Sequence, residues 1–266
     1  MVSENLLAVI IGIVEGVTEY LPVSSTGHMI LVGSMLGFEG EKASVFEVFI
    51  QLGAILSVLF LYWDKFVQML KPRKLSIYNN GLSIKHVVVG IVPVMAVGYL
   101  LHKNIKALFS PGVVIAGLIL GGILMLVAER ISQRPMVNNV DNITLKQAFC
   151  IGLFQILALW PGFSRSGSTI SGGLLLGISR TAAAEFSFII AVPLMAVACM
   201  YDLLKVWDKL NMADVQMFGI GFGVAFVVAY FSVVWFIRFL NKSTLASFAY
   251  YRFLLAFVSY YYFFNH

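Results

Sequence analysis

The sequence predicts an all-α integral membrane protein: six transmembrane helices plus two re-entrant helical hairpins, arranged as an inverted-topology repeat. Three observations predict it: the composition, the length of the uncharged runs, and two similar polar motifs inside apolar sequence. Of the 266 residues, 60% are hydrophobic and 12% are charged, whereas a soluble domain carries roughly 25% charged residues. We therefore predict a single membrane domain over residues 1–266.

Uncharged runs recur along the chain, and most approach the length of about 20 residues that crosses a hydrocarbon core. The last run is short by itself, but Ser243–Tyr251 extends it, with Arg252 as an interruption. No basic segment or cleavage site precedes Leu6–Val14, so we interpret this stretch as mature protein and not as a signal peptide. The six predicted spans are Val48–Trp63, Val87–Leu101, Ala107–Ala128, Phe186–Tyr201, Val215–Ile237 and Phe253–Asn265.

Two pairs of shorter apolar segments flank the polar motifs. Asn5–Val14 and Met29–Phe38 surround the first motif, and Gln147–Trp160 and Ile170–Ile178 surround the second. A helix, a break at Pro and Gly, and a second helix are typical of a re-entrant hairpin, whose half-helix ends meet inside the membrane. Each motif therefore lies at the predicted tip of a hairpin.

The chain is also predicted to be a tandem duplication, with repeat 1 at about residues 1–130 and repeat 2 at about residues 145–266. Pro22 and Pro161 begin the two motifs, and Glu47 and Glu185 precede similar apolar runs at nearly the same offset. Three spans in each half require the halves to insert with opposite orientations. One hairpin should then enter from each face of the membrane.

The basic residues predict the orientation, because cytoplasmic loops carry an excess of Lys and Arg. One face receives Lys65, Lys71, Arg73, Lys74, Lys85, Arg130, Arg134, Lys146, Arg238 and Lys242, and the other Lys42, Lys103, Lys106, Lys205 and Lys209. We predict that the first face is cytoplasmic and that both termini are periplasmic. Cytoplasmic loops against anionic lipid account for the net charge of +5, so no nucleic acid is expected as a partner.

The first motif combines paired carboxylates with hydroxyls and a histidine. Glu15 and Glu19 lie four residues apart, on one face of a half-helix, where they can share a cation, a proton or a substrate group. Alternatively, both glutamates cap helices or lie at a helix interface. The residues that follow Pro22 supply a hydroxyl nucleophile, backbone donors and a titratable ring, although their hydroxyls can instead satisfy helix ends. These residues are Ser24, Ser25, Thr26, Gly27 and His28.

The second motif is typical of an anion site, since it joins a fixed positive charge to hydroxyls at the start of a helix. Arg165 supplies the charge, and it can instead be a structural partner of Glu15 or Glu19. The neighbouring residues expected to bind the anion are Ser164, Ser166, Gly167 and Thr169. Cys150 and Cys199 lie in apolar runs and are predicted to be buried free thiols without a function.

The segments EGVTEYLPVSSTGH and PGFSRSGSTISGG, with FEVFIQLGAIL and AEFSFIIAVP behind them, closely resemble the undecaprenyl-diphosphate phosphatases, also called bacitracin-resistance proteins, of bacterial inner membranes. The resemblance runs from about residue 8 to residue 257. It implies hydrolysis of undecaprenyl diphosphate to undecaprenyl phosphate and inorganic phosphate at a site open to the periplasm, which recycles the carrier lipid for peptidoglycan synthesis. It also implies that the family's catalytic residues are Glu15, Glu19, Ser25, His28 and Arg165.

The resemblance and the motifs together predict a mechanism. Ser25 or a nearby water attacks the terminal phosphorus, His28 moves the proton, and Arg165 holds the diphosphate. Glu15 and Glu19 bind a divalent cation, Mg²⁺ or Ca²⁺, or orient the other two groups. A flippase for a polyprenyl-phosphate lipid is the alternative, because inverted repeats with broken helices are a transporter architecture. The expected partners are the lipid diphosphate and membrane lipids, and a homodimer is compatible with this reading.

Overall fold

The structure is a computed structural model that describes residues 3–70, 81–101, 105, 108–132, 135–206 and 214–265. Within these residues the chain is helical, which confirms the all-α prediction, and 3₁₀ turns lie at Val140–Asn142 and Ile156–Leu159. The α-helices, numbered in chain order, are α1 (Glu4–Thr18), α2 (Ser25–Met35), α3 (Glu41–Leu61), α4 (Trp63–Met69), α5 (Ile84–Leu100), α6 (Pro111–Ile131), α7 (Leu145–Gln155), α8 (Arg165–Leu175), α9 (Arg180–Val206), α10 (Val215–Leu240) and α11 (Ala246–Asn265).

Among the described helices, four are long and apolar enough to cross a membrane, namely α3, α6, α9 and α10. Helix α5 is apolar but has only 17 residues, and α11 has 20 residues that include Arg252. Each of the six predicted spans overlaps one of these six helices. Several basic residues used for the orientation lie outside the described residues: Lys71, Arg73, Lys74, Lys103, Lys106, Arg134 and Lys209.

Both polar motifs form a break between two short helices, α1 and α2 in the first motif and α7 and α8 in the second. The second helix of each pair begins after a serine with a positive φ angle, 71° at Ser24 and 75° at Ser164. Each serine hydroxyl accepts a hydrogen bond from a backbone N–H three residues later, that of Gly27 at 3.3 Å and that of Gly167 at 3.1 Å. A non-glycine residue in this region costs about 1–3 kcal/mol and is typical of functional sites.

The hairpin of each half packs against a helix of the other half, since α1 contacts α10 and α7 contacts α5. Both contacts need glycine at the point of closest approach. A Cβ atom at Gly12 would lie 2.8 Å from the carbonyl oxygen of Gly221, and one at Gly152 would lie 2.5 Å from that of Gly90. The two backbones can approach this closely only without a side chain between them.

A buried arginine holds the two breaks together from the last helix. Arg252 is 0% exposed, and its guanidinium donates to backbone carbonyls of three different segments. Nε donates to Leu118 O at 3.1 Å, and Nη2 donates to Gly117 O at 3.0 Å and to Gly162 O at 2.9 Å. Nη1 donates to Pro22 O at 3.4 Å. Helix α11 thus fastens α6 to the tips of both hairpins, a role that sequence reasoning did not give to Arg252.

Candidate active site

One buried carboxylate joins the two motifs. Glu19 follows α1 directly and is 8% exposed. Its Oε2 accepts a hydrogen bond of 2.7 Å from the Ser25 hydroxyl, and its Oε1 accepts one of 3.1 Å from Nη2 of Arg165. Ser25 and Arg165 are the first residues of α2 and α8, so equivalent positions of the two motifs converge on Glu19. The structure therefore brings three of the predicted catalytic residues into direct contact.

The Arg165 guanidinium is held on several sides. Nη1 donates to the carbonyl oxygen of Ser187 at 3.3 Å and to its hydroxyl at 3.4 Å. The Arg165 Cζ atom lies 5.2 Å from the centre of the Tyr20 ring, a cation–π contact. Nε is buried and has no hydrogen-bond partner within the described part of the chain. A buried donor without a partner is costly, which makes this N–H a candidate contact for a ligand.

Glu19, Ser25 and Arg165 line a polar cavity of about 180 Å³. Ser24, Thr26 and Ser164, three of the predicted substrate-binding residues, line the same cavity. The residues of its walls therefore include one carboxylate, four hydroxyls and one cation, which suits a ligand with several hydrogen-bond acceptors and negative charge.

Glu15 faces a second, more acidic cavity of about 560 Å³, which Glu47, Ser25 and Thr26 also line. Glu15 is 3% exposed, and its Oε1 has no hydrogen-bond partner among the described residues. Both oxygens of Glu19 accept hydrogen bonds. Of the two glutamates predicted to act as a pair, Glu15 is therefore the one with an oxygen that lacks a partner among the described residues. In the sequence, Glu47 served only to align the two repeats and was not assigned to the site. A carboxylate directly before an apolar run could have indicated that role.

Several predicted substrate-binding residues hold the hairpins in shape. Ser166 donates to Leu21 O at 2.9 Å and so ties the second break to the first. Thr169 donates to Arg165 O at 2.8 Å, and its hydroxyl lies 2.7 Å from that of Ser187. Ser24 accepts from the N–H of Gly27, which matches the alternative that hydroxyls of the first motif satisfy helix ends, and Ser164 does the same for Gly167 in the second motif. Their assignment to substrate binding stays a prediction.

His28 lies away from Ser25 in the hydrogen-bond network. Its Nδ1 is 2.8 Å from Ser24 O, and its Nε2 is 2.7 Å from the hydroxyl of Tyr251. The Tyr251 ring also stacks on the imidazole, with ring centres 5.6 Å apart. A carbonyl only accepts, so Nδ1 carries a hydrogen, and in the neutral ring Nε2 accepts from Tyr251. Sequence reasoning missed Tyr251, because it lies in a distant aromatic-rich helix.

An apolar groove adjoins the polar cavity. It measures about 850 Å³ and lies along α5, the 3₁₀ turn Ile156–Leu159 and α9. Arg165 and Met195 line both the groove and the polar cavity. A molecule with a charged head and a long apolar chain could occupy both spaces together.

The described residues contain no group of three or more His, Cys, Asp or Glu side chains placed to hold a metal ion. The assignment of Glu15 and Glu19 to an ion stays a prediction from the sequence, and an ion held by two carboxylates would complete its shell with substrate oxygens and water.

A comparison with known protein families agrees with the site. The model of the family described as bacitracin resistance protein BacA matches residues 8–258. The matched region contains both motifs, as well as Tyr251 and Arg252. The chain is therefore a multi-pass membrane protein that belongs to the bacitracin resistance protein BacA family, the family of undecaprenyl-pyrophosphate phosphatases.

Proposed function

We propose that the protein hydrolyses undecaprenyl diphosphate to undecaprenyl phosphate and inorganic phosphate at Glu19, Ser25 and Arg165. One observation carries this proposal: a buried carboxylate joins a hydroxyl to a guanidinium in a cavity beside an apolar groove. The cavity suits a diphosphate and the groove an isoprenoid chain, so the site matches an amphipathic substrate.

In the proposed reaction, Glu19 accepts the proton of the Ser25 hydroxyl as the oxygen attacks the terminal phosphorus. The bond from that phosphorus to the bridging oxygen breaks, and its electron pair stays with undecaprenyl phosphate, the leaving group. Water then hydrolyses the phosphoserine; in the alternative route, a water held by Ser25 attacks directly. Nε of Arg165, which has no partner among the described residues, donates to the phosphoryl oxygens and stabilises the developing charge.

Glu19 replaces His28 as the proton acceptor in this proposal, because Ser25 donates to Glu19 while both His28 nitrogens contact other groups. His28 holds the Ser24 carbonyl and so supports the strained backbone of the first break. Its direct part in proton transfer stays a prediction from the sequence.

A divalent cation, Mg²⁺ or Ca²⁺, is part of the proposal. Glu15 and Glu47 would hold it in the acidic cavity, where Glu15 has a buried oxygen without a partner. Hard oxygen donors suit either ion, and a bound ion would offset the negative charge of the diphosphate. The side chains themselves supply the other steps. Glu19 takes the proton of Ser25, and Arg165 binds the phosphoryl oxygens.

We further propose that α3, α5, α6, α9, α10 and α11 cross the inner membrane, that the two short pairs are re-entrant hairpins of an inverted repeat, and that the site faces the periplasm. The common geometry at Ser24 and Ser164 and the reciprocal packing of α1 on α10 and of α7 on α5 support the repeat. The charge distribution of the sequence supports the orientation.

The orientation predicts the labelling of two cysteine variants. Ser3→Cys, before α1, should react with an impermeant thiol reagent that reaches the periplasm of intact cells. Asn138→Cys, an exposed residue between α6 and α7, should be protected until the cells are lysed. The parent chain gives the background from its own thiols, and the reverse labelling pattern would refute periplasmic termini.

Phosphate release by the purified protein in detergent tests the function. Undecaprenyl diphosphate should yield one phosphate per lipid, whereas undecaprenyl phosphate should yield none. A flippase needs two sides of a membrane and should release no phosphate in detergent. If the protein moves the lipid across reconstituted vesicles but hydrolyses nothing, the proposed function is wrong and the transporter reading is right.

A further inference from the structure

Gln51, in the middle of α3, lies where three cavities meet. It lines the polar cavity, the acidic cavity and the apolar groove. Ser25 lines only the first two of these, and Arg165 only the first and the groove. A group bound between the charged head and the apolar chain of the substrate would therefore lie beside Gln51.

A thiol fixes the orientation of the Gln51 side chain. Cys199, on α9, donates a hydrogen bond of 3.1 Å from Sγ to Oε1 of Gln51. With the thiol as the donor, the contact uses the oxygen end of the amide, and the nitrogen, with its two hydrogens, is left to donate elsewhere. Cys199 is 1% exposed, as the sequence predicted, whereas Cys150 is only partly buried, which corrects that prediction. The contact with Gln51 gives the Cys199 thiol a role that the sequence did not indicate.

The charged groups of the site do not supply enough hydrogen-bond donors for a diphosphate, so a neutral donor is needed as well. Two nitrogens of Arg165 already donate to Glu19 and Ser187, so its Nε alone cannot satisfy a diphosphate, which has many acceptor oxygens. An amide adds donors without a second positive charge, which would compete with Arg165 for Glu19.

We propose that Gln51 binds the phosphate that carries the isoprenoid chain, through its amide nitrogen, and that Cys199 positions the amide for this contact. The proposal rests on the proposed function, since it places the two phosphates of the same substrate. Arg165 and Ser25 then hold the terminal phosphate, and Gln51 holds the one that leaves with the lipid. When the bridging bond breaks, the charge that collects on the leaving phosphate lies beside an N–H donor.

Direct binding to the purified protein tests the proposal without depending on turnover. The change is Gln51→Met, which keeps the length of the side chain and removes its donors. Two probes are titrated by calorimetry: farnesyl monophosphate, which has a lipid-linked phosphate, and inorganic phosphate, which has none. Kd for farnesyl monophosphate should rise about tenfold to a hundredfold, the range for a lost hydrogen bond to a charged group. Kd for inorganic phosphate should change less than about twofold.

Gln68→Met is the matched control, because Gln68 is exposed on α4, and both Kd values should match the parent. An equal rise of both Kd values for Gln51→Met would place Gln51 at the terminal phosphate and overturn the proposal, and so would no rise in either. If the parent binds farnesyl monophosphate with this Gln51 dependence but releases no phosphate from undecaprenyl diphosphate, only the proposed reaction fails.

Variants of Cys199 provide a second test of the proposal in which Gln51 itself is unchanged. Cys199→Ala removes the donor that holds the amide oxygen and should raise Kd for farnesyl monophosphate by about threefold to tenfold, again without an effect on inorganic phosphate. Cys199→Ser keeps a donor and should restore binding to near the parent value. If alanine and serine at this position bind both probes as the parent does, Cys199 does not position Gln51. This pair decides the matter if Gln51→Met does not fold.

Discussion

Glu19→Gln is expected to lower kcat/KM for undecaprenyl diphosphate by about three orders of magnitude or more, because it removes a general base and weakens the contact that holds Arg165. The carboxylate accepts from both Ser25 and Arg165. An amide has one oxygen and one NH₂ group, so its nitrogen must face either the Ser25 hydroxyl or the Arg165 guanidinium. Phosphate release by the purified variant measures the loss.

Glu4→Gln is the control for this change, because Glu4 begins α1, the helix that Glu19 follows, but contacts Lys42 at the surface; the activity of this variant should stay within about twofold of the parent. Ser25→Ala in the same assay separates the two routes of attack. A phosphoserine intermediate requires the Ser25 oxygen, so turnover should then vanish, whereas attack by water should leave a measurable rate. A Glu19→Gln variant with more than about a tenth of the parent activity would exclude Glu19 as the proton acceptor.

Arg165→Lys is expected to reduce kcat/KM by about two orders of magnitude or more. The planar guanidinium donates to Glu19 and Ser187 with its two terminal nitrogens and retains Nε for the phosphate. A lysine ammonium has three donors around one atom and cannot reach these groups in the same geometry. Phosphate release at saturating and at low substrate shows whether kcat, KM or both change.

The matched control is Arg238→Lys, since Arg238 is exposed near the end of α10, and its kinetics should equal those of the parent. The structure already shows Arg165 paired with Glu19, as one reading of the sequence expected. If Arg165→Lys keeps nearly full activity, that pairing is the whole role of Arg165, and the phosphate assignment is wrong.

Most helices of this chain were predictable because local sequence indicates them, although α4 was not predicted. Long uncharged runs gave α3, α6 and α10, and Pro and Gly inside apolar sequence marked the breaks after α1 and α7. The convergence of the two motifs was also predicted, because the sequence indicates two hairpins whose tips meet. The contacts of Glu19 with Ser25 and Arg165 agree with that expectation.

The partners within the site were harder to predict because they depend on distant helices. The three-residue spacing favoured contact between Ser25 and His28, but Ser25 is the first residue of α2 and its hydroxyl reaches back across the break to Glu19. His28 lies one turn later and contacts Tyr251 of α11. No local sequence pattern shows that α11 packs beside His28. The contacts of Arg252 and the contact between Gln51 and Cys199 also join distant helices, so they could not be predicted either.

The contacts of the buried Arg252 make the shape of the candidate active site depend on the order in which the helices are synthesised. Its guanidinium holds the carbonyls of Pro22 and Gly162, yet it belongs to α11, which follows both hairpins in the chain and is therefore made after them. Until α11 is inserted, both hairpin tips lack this brace, and their carbonyls lack donors in a setting where missing hydrogen bonds are costly. We therefore expect the two hairpin tips to take their final shape only after α11 has been made and inserted.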